Sequence, residues 1–445
     1  MSDVLLISCY ELGHRPHGVA LPMAFLERAG VPAVAVDLAV EPFDDDKARR
    51  ARFVGISVPM HTALRIGVAA ARRVRACSPR AHVCFYGLYA QLNREYLLDE
   101  GIADSVLSGE LEEALVAAVR GAVAPERPIL ARLSFPAPSR AGLPRGERYA
   151  RLLRDGGEAQ AGYVEASRGC RHLCRHCPIP PIYGGRFFVV PERVVLQDVR
   201  AQVAAGARHI TFGDPDFLNG PEHARRIARA LHAAFPELTF DATAKVEHLV
   251  RHGRPLIDEL AACGLIFVVT AVESLSPRVL EILDKHHTRA DVDRALELLE
   301  GAGVALRPSL VPFTPWETLD GYLEILEWIA ARGLVDSVDP VQVAIRLLVP
   351  HGSLLETHAA MRPHLGSFVP EDFTYRWTHP DPRMDALCAE VAAMVERDTR
   401  AGRAANATFE RVRAAAFVAA SRTAPARLAA KLRPPPPRLS EPWFC

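Results

Sequence analysis

Three cysteines within eight residues, Cys170-Arg171-His172-Leu173-Cys174-Arg175-His176-Cys177, constrain this chain more than any other feature. The C-x3-C-x2-C spacing puts three thiolates on one short loop, after a strand-like run at 163–166. Three ligands from one loop can hold three irons of a [4Fe–4S] cube and leave the fourth iron open. A structural zinc site closes its coordination with a fourth protein ligand, and His172 or His176 could supply one.

The loop sits at the start of an alternating pattern. Strand candidates at 163–166, 209–212, 239–242, 266–269, 305–310 and 341–347 are separated by helical stretches. Six such units predict a partial (β/α)6 barrel, since a full eight-unit barrel takes about 250 residues. Ahead of it, residues 1–125 alternate strands at 4–8, 34–38, 53–58, 82–86 and 105–107 with helices. Strands alternating with helices predict an α/β fold with a parallel sheet, here a Rossmann-like unit. Residues 126–160, with Pro128, Pro136, Pro138 and Pro144, read as an extended linker. The barrel then spans 161–355, and 356–445 reads as a helical C-terminal region ending in a tail after Pro434–Pro437.

Composition excludes several classes. The 445 residues carry 53 basic and 53 acidic side chains, so nothing in the balance predicts a nucleic-acid or membrane partner. The longest apolar runs, such as 265–272, fall far short of the ~20 residues that span a bilayer. Nine cysteines and no visible targeting signal point to a reducing, cytoplasmic setting. Cys9, Cys77, Cys84 and Cys263 read as core thiols; Cys388 is ambiguous.

With the triad and the barrel pattern in place, the stretch 163–350 resembles the radical S-adenosylmethionine (SAM) superfamily. The resemblance implies that Cys170, Cys174 and Cys177 ligate a [4Fe–4S] cluster whose open iron is chelated by SAM, and that a flavodoxin or ferredoxin supplies the electron. It implies that Asp214 and Asp216, in Phe212-Gly213-Asp214-Pro215-Asp216-Phe217, lie where the family touches the SAM amino group. Glu273, in Thr270-Ala271-Val272-Glu273-Ser274, matches the family's G-x-E-S segment and would contact SAM. Pro312 to Thr318 sits where the family often has G-x-P-x-E-T, without the Gly. Lys245, Arg307 and Arg346, near strand ends, could hold a carboxylate or phosphate of SAM or substrate, or could form salt bridges inside the barrel.

A Rossmann-like unit before such a core resembles the cobalamin-binding class. That resemblance implies a corrinoid over the strand ends, with His14, Ser57 and Gly87 as contacts. The D-x-H-x-x-G motif is not reproduced. The tail, Ser440 to Cys445, loosely resembles that of a radical SAM group ending in Cys-Cys-Ala-Glu-Pro, which makes Cys445 a candidate catalytic thiol. The expectation is a cobalamin-dependent methyltransferase acting on a small molecule. The alternative is cobalamin-independent transfer of the 3-amino-3-carboxypropyl group of SAM, to an acceptor such as trivalent arsenic. Methylthiolation of tRNA is disfavoured, because no second cysteine triad or basic C-terminal module is present. A catalytically silent zinc scaffold is the remaining rival.

Overall fold

The computed structural model describes residues 3–424 and 435–441. Its N-terminal half begins with β1 (Val4–Ser8), every residue of which is buried. A short run apolar on both faces is what a central parallel strand requires. With β2 (Ala33–Asp37), β3 (Phe53–Ser57), β4 (His82–Tyr86) and β5 (Ser105–Leu107) it forms an all-parallel sheet in the order β2-β1-β3-β4-β5. The order reverses between β1 and β3, the place where open α/β sheets bind ligands. Ser8, Ser57 and Tyr86 stand in register at the carboxyl edge of this point.

The second sheet has seven strands: β6 (Arg151–Arg154), β7 (Gly157–Val164), β10 (His209–Phe212), β11 (Thr239–Thr243), β12 (Leu265–Glu273), β13 (Ala305–Leu310) and β16 (Arg438–Leu439). β7, β10, β11, β12 and β13 are parallel neighbours, and β6 and β16 continue the edge antiparallel. A small antiparallel ribbon of β8 (Ser167–Gly169) and β9 (Phe187–Val189) projects from it, and β14 (Leu365–Val369) pairs β15 (Thr374–Trp377). Phe212, Phe240, Ile227, Leu260, Leu299 and Tyr322 fill the space between barrel and helices, and Leu387, Val391 and Phe417 of the C-terminal helices join the same core.

Three expectations are corrected. Residues 341–347 do not form a sixth strand: 340–343 turn as a 3-10 helix led by Pro340, and only Phe313 and Arg346 make a parallel bridge. The side chain of Gln342 accepts from Leu310 N (2.9 Å), taking the place of a strand backbone. The linker 126–160 ends early, because β6 and part of β7 already belong to the barrel sheet. Its Pro-rich part is held against the N-terminal unit. Ile129 bridges Gly109, Ser139 N donates to Ala20 O (2.9 Å), and Ala150 N donates to Gly13 O (2.8 Å). The region after 356 is mixed, with the β14–β15 hairpin ahead of helices Pro382–Arg400 and Ala405–Ala419.

Candidate functional site

The cysteine loop is closed at its base by the β8–β9 ribbon. Gly169, at φ +75°, makes the turn into it; a Cβ there would stand 2.5 Å from Arg186 O and 2.6 Å from Tyr183. Only glycine tolerates both that angle and that contact. Cys170 and Cys174 are buried and Cys177 half-buried. Cys177 N donates to Cys174 O (3.1 Å), and Asn219 Oδ1 accepts from Arg171 N (3.2 Å). Lys245 Nζ lies 3.7 Å from Cys174 Sγ. Burial pushes the Cys177 thiol up to about 12, so an electropositive partner is required to hold it as thiolate. Three thiols on one loop beside a buried ammonium fit the donor chemistry of an Fe–S cluster.

Glu273 ends β12 at a register shift, with φ +64°. Its carboxylate takes Lys285 Nζ at 3.1 Å and faces His176 Nε2 at 3.4 Å. Burial raises its proton affinity, but Lys285 and His176 outweigh this and hold it at about 2. Glu273 is thus an ionised anchor for the cysteine loop. Asp214 accepts from Ala166 N (2.8 Å) and from the Ser167 hydroxyl (2.5 Å), and burial holds it at about 7. Asp216 caps Leu218 N (3.1 Å) and faces His248. Burial, helped by Lys245, holds His172 at about 4, and therefore neutral near pH 7.

Between the carboxyl edges of the two sheets lies a cavity of about 320 Å³. His14, Ser57 and Gly87 line it from the N-terminal side, and Arg307 from the barrel side. Gly87, at φ +114°, passes so close to Val58 that a Cβ would stand 3.0 Å from its carbonyl. The His14 ring packs on Tyr163 at a tilt of 35° with centroids 4.6 Å apart, and burial holds it at about 4. Arg307 gives one nitrogen to Asp339 (2.8 Å), while its Nη1 is buried with no hydrogen-bond partner. Asp214, Asp216, Glu273, Lys245 and the three cysteines do not line the cavity. Arg346 lies outside it too, on the Trp377 ring (3.5 Å) and paired with Asp385 (2.7 Å). Cys445 lies outside the described residues.

The wall also holds groups the sequence did not single out. Arg168 pairs Glu112 (2.6 Å), Glu165 (3.1 Å) and Glu110 (3.4 Å), and Glu165 takes His17 Nε2 at 3.3 Å. Burial disfavours the charge on Glu165, but His17 and Arg168 prevail and hold it at about 2. Glu11, held by the His17 and Gly18 amides (2.8 and 3.1 Å), is pushed by burial up to about 7. Leu439 of β16 lines the cavity as well. Tyr10 Oη donates to Glu441 (3.0 Å), and Ser440 N donates to Arg151 O (2.8 Å), so the C-terminal strand runs along both halves.

Residues 164–334, which carry the cysteine loop and most of the barrel sheet, match the Radical SAM superfamily, and the five-stranded parallel sheet precedes them. Among individual proteins, the chain is similar to the ribosomal protein uS12 methylthiotransferases RimO of Desulfotalea psychrophila (26% identity over 181 residues) and Cereibacter sphaeroides (28% over 191). Those matches cover 39% and 38% of this chain, and 40% and 38% of the relatives. They therefore span about two fifths of the curated relatives. Among solved structures it shares its fold with OxsB, a cobalamin-dependent SAM radical enzyme solved with aqua-cobalamin and SAM. The TM-score is 0.68 at 13% identity, over 89% of this chain and 67% of OxsB. The SAM methyltransferase TsrM of Kitasatospora setae, solved with cobalamin and a [4Fe–4S] cluster, gives 0.57 at 17% identity, over 75% and 70%. Among the described residues no helix is long and apolar enough to cross a membrane.

Proposed function

We propose that this chain is a radical SAM methyltransferase that uses cobalamin and acts on a small molecule held between its two sheets. One observation carries the reading: the carboxyl edges of both parallel sheets open onto one cavity, with the cysteine ribbon at its rim. Such edges are where α/β folds place ligands. Bound at the cysteine loop beside this cavity, the cluster with SAM would supply one-electron cleavage of the sulfonium, and cobalamin would carry a methyl group. Cys170, Cys174 and Cys177 would hold the cluster, and Lys245 offsets thiolate charge. Glu273 and Lys285 fix the loop through His176. The free Nη1 of Arg307 is placed to take a carboxylate of SAM or substrate. His14, Ser57 and Gly87 would form the shelf for the corrinoid, and Tyr163 and Phe267 would help exclude water. An electron donor such as flavodoxin or ferredoxin is required.

A second reading rests on a different observation. The β1–β3 edge is filled by the protein itself: Tyr86 Oη donates to Gly18 O (2.9 Å), and a Cβ on Gly18 would run into Ser57 and Glu11. The remaining 320 Å³ is at the low end for small-ligand sites. That favours aminocarboxypropyl transfer without a corrinoid. Anaerobic reconstitution with cobalamin present, followed by SAM labelled in either the methyl or the aminocarboxypropyl carbons, separates the two. The first reading expects about four irons per chain, a retained corrinoid spectrum and methyl label in the product. Aminocarboxypropyl label without corrinoid selects the second. Iron retained after Cys170, Cys174 and Cys177 are all replaced by Ala overturns both.

A further inference from the structure

Outside the cavity, one group among the described residues brings three donors of metal-ligating type within 4.8 Å of one another: His172, Asp216 and His248. They come from three separate segments: the cysteine loop, the loop after β10, and the helix Val246–Ala262. None of the three lines the cavity.

The Nε2 atoms of His172 and His248 stand 3.2 Å apart. Asp216 Oδ2 lies 2.7 Å from His248 Nδ1 and 3.8 Å from His172 Nε2. Asp216 is fully buried and His248 nearly so. Although 2.7 Å apart, Asp216 Oδ2 and His248 Nδ1 are off hydrogen-bond alignment, and neither has another partner. Glu247 Oε2 approaches the far nitrogen of His172 at 3.7 Å.

A buried carboxylate is stable only with a full set of hydrogen bonds or a cation. Asp216 Oδ1 has its bond to Leu218 N; Oδ2 has none. Two imidazole nitrogens bound at 2.0–2.1 Å to one tetrahedral ion stand about 3.3 Å apart, close to the separation seen here. A hydrogen bond between the rings would give a similar distance, so the decisive observation is the buried carboxylate oxygen that faces both rings without an aligned hydrogen bond to either. We propose that His172, Asp216 and His248 bind one divalent transition-metal ion of the zinc class, separate from any cluster iron. Two imidazoles and a carboxylate are a borderline donor set that suits Zn²⁺. An ion here ties the cysteine loop to the β10 loop and to the helix after β11.

The test uses the full-length, cluster-reconstituted protein and Zn²⁺ as probe. The expected result is one zinc per chain retained after dialysis against a weak chelator. The zinc absorption edge should show nitrogen or oxygen neighbours at about 2.0–2.2 Å and no sulfur at 2.3 Å. His248→Gln and Asp216→Asn should each weaken zinc binding at least tenfold with cluster iron unchanged. No retained zinc, sulfur neighbours, or unaltered affinity in both variants would overturn the proposal. If either variant fails to fold, the absorption edge of the unaltered protein decides.

Discussion

The two sheets meet at one cavity but arm it differently. Around the cysteine loop, ionisable groups are held by one another: Glu273 by Lys285 and His176, Arg168 by three glutamates. On the N-terminal side they are held by backbone and rings: Glu11 by two amides, His14 by the face of Tyr163. A cross-tied wall fixes charge in place and loses it only when a partner is removed. A backbone-held wall fixes shape, and tolerates loss of charge but not of geometry.

The largest effect should come from breaking the cross-tied side. Glu273→Ala strands Lys285 as a buried cation and frees the cysteine loop at His176. Losing one partner of a buried pair costs about 3–5 kcal/mol. Thermal unfolding should fall accordingly, and iron occupancy after reconstitution should drop. Glu11→Ala, on the backbone-held side, should cost clearly less. Equal losses in the two variants would erase the contrast.

This contrast also explains what was legible beforehand. Continuous apolar runs such as Val4–Ser8 and the Cys170–Cys177 spacing are local, and the sequence reading of β1 and of a parallel sheet carries over directly. The Arg168 network joins positions more than fifty residues apart, and no periodicity announces it. Glu273 stood out because a carboxylate follows an apolar strand, but its partner Lys285 was visible only as a residue twelve positions on. The prolines of the connector suggested an extended segment; it is pinned to the N-terminal unit through backbone hydrogen bonds that any sequence could make, and to the barrel through the Arg140 side chain on Asp198 and Tyr163 O. Gln342 standing in for a sixth strand is a tertiary substitution of the same kind.

Geometry on the N-terminal side is tested next. Gly87→Ala puts a Cβ 3.0 Å from Val58 O at φ +114°. Strain of this kind costs about 1–3 kcal/mol. The urea midpoint should fall with an unchanged slope, and any bound corrinoid should be lost first. A midpoint within error of the parent would show that the Gly87 turn can relax.

The His17–Glu165 pair joins the two sides, so pH reads their union. Glu165, depressed to about 2, contributes stability that is present above the ordinary carboxylate range and lost as pH falls toward 2. For His17, burial opposes protonation, but Glu165 overcomes it and raises the pKa above its ordinary value. That stability is full below about 6.5 and is lost as pH rises through the raised value. Melting temperature should therefore decline on the alkaline side more steeply in the parent than in His17→Asn. Parallel curves would remove the pair as a link between the halves.

The smallest effect should come from the C-terminal strand, which touches both sides at once. β16 adds only Arg438 and Leu439 to the sheet edge, and beyond it Ser440 makes a reciprocal pair of hydrogen bonds with Arg151 while Glu441 receives Tyr10. Glu441 also packs where Gly13 has no side chain: a Cβ there would stand 2.7 Å from its Cγ. Ending the chain after Leu439 removes these contacts. Exposed or half-buried hydrogen bonds are worth about 1 kcal/mol each, and part is regained from water. Stability should thus fall by roughly 1–2 kcal/mol, with cluster iron and SAM affinity unchanged. Leu439 stays in place, so the cavity keeps its wall. If residues 440–445 merely seal the seam between the halves, Tyr10→Phe should reproduce part of the stability loss and leave turnover intact. If they take part in the chemistry, the truncated protein should lose turnover while Tyr10→Phe keeps it. Turnover on the true substrate, measured beside the unfolding curves of both variants, separates a seam from a participant.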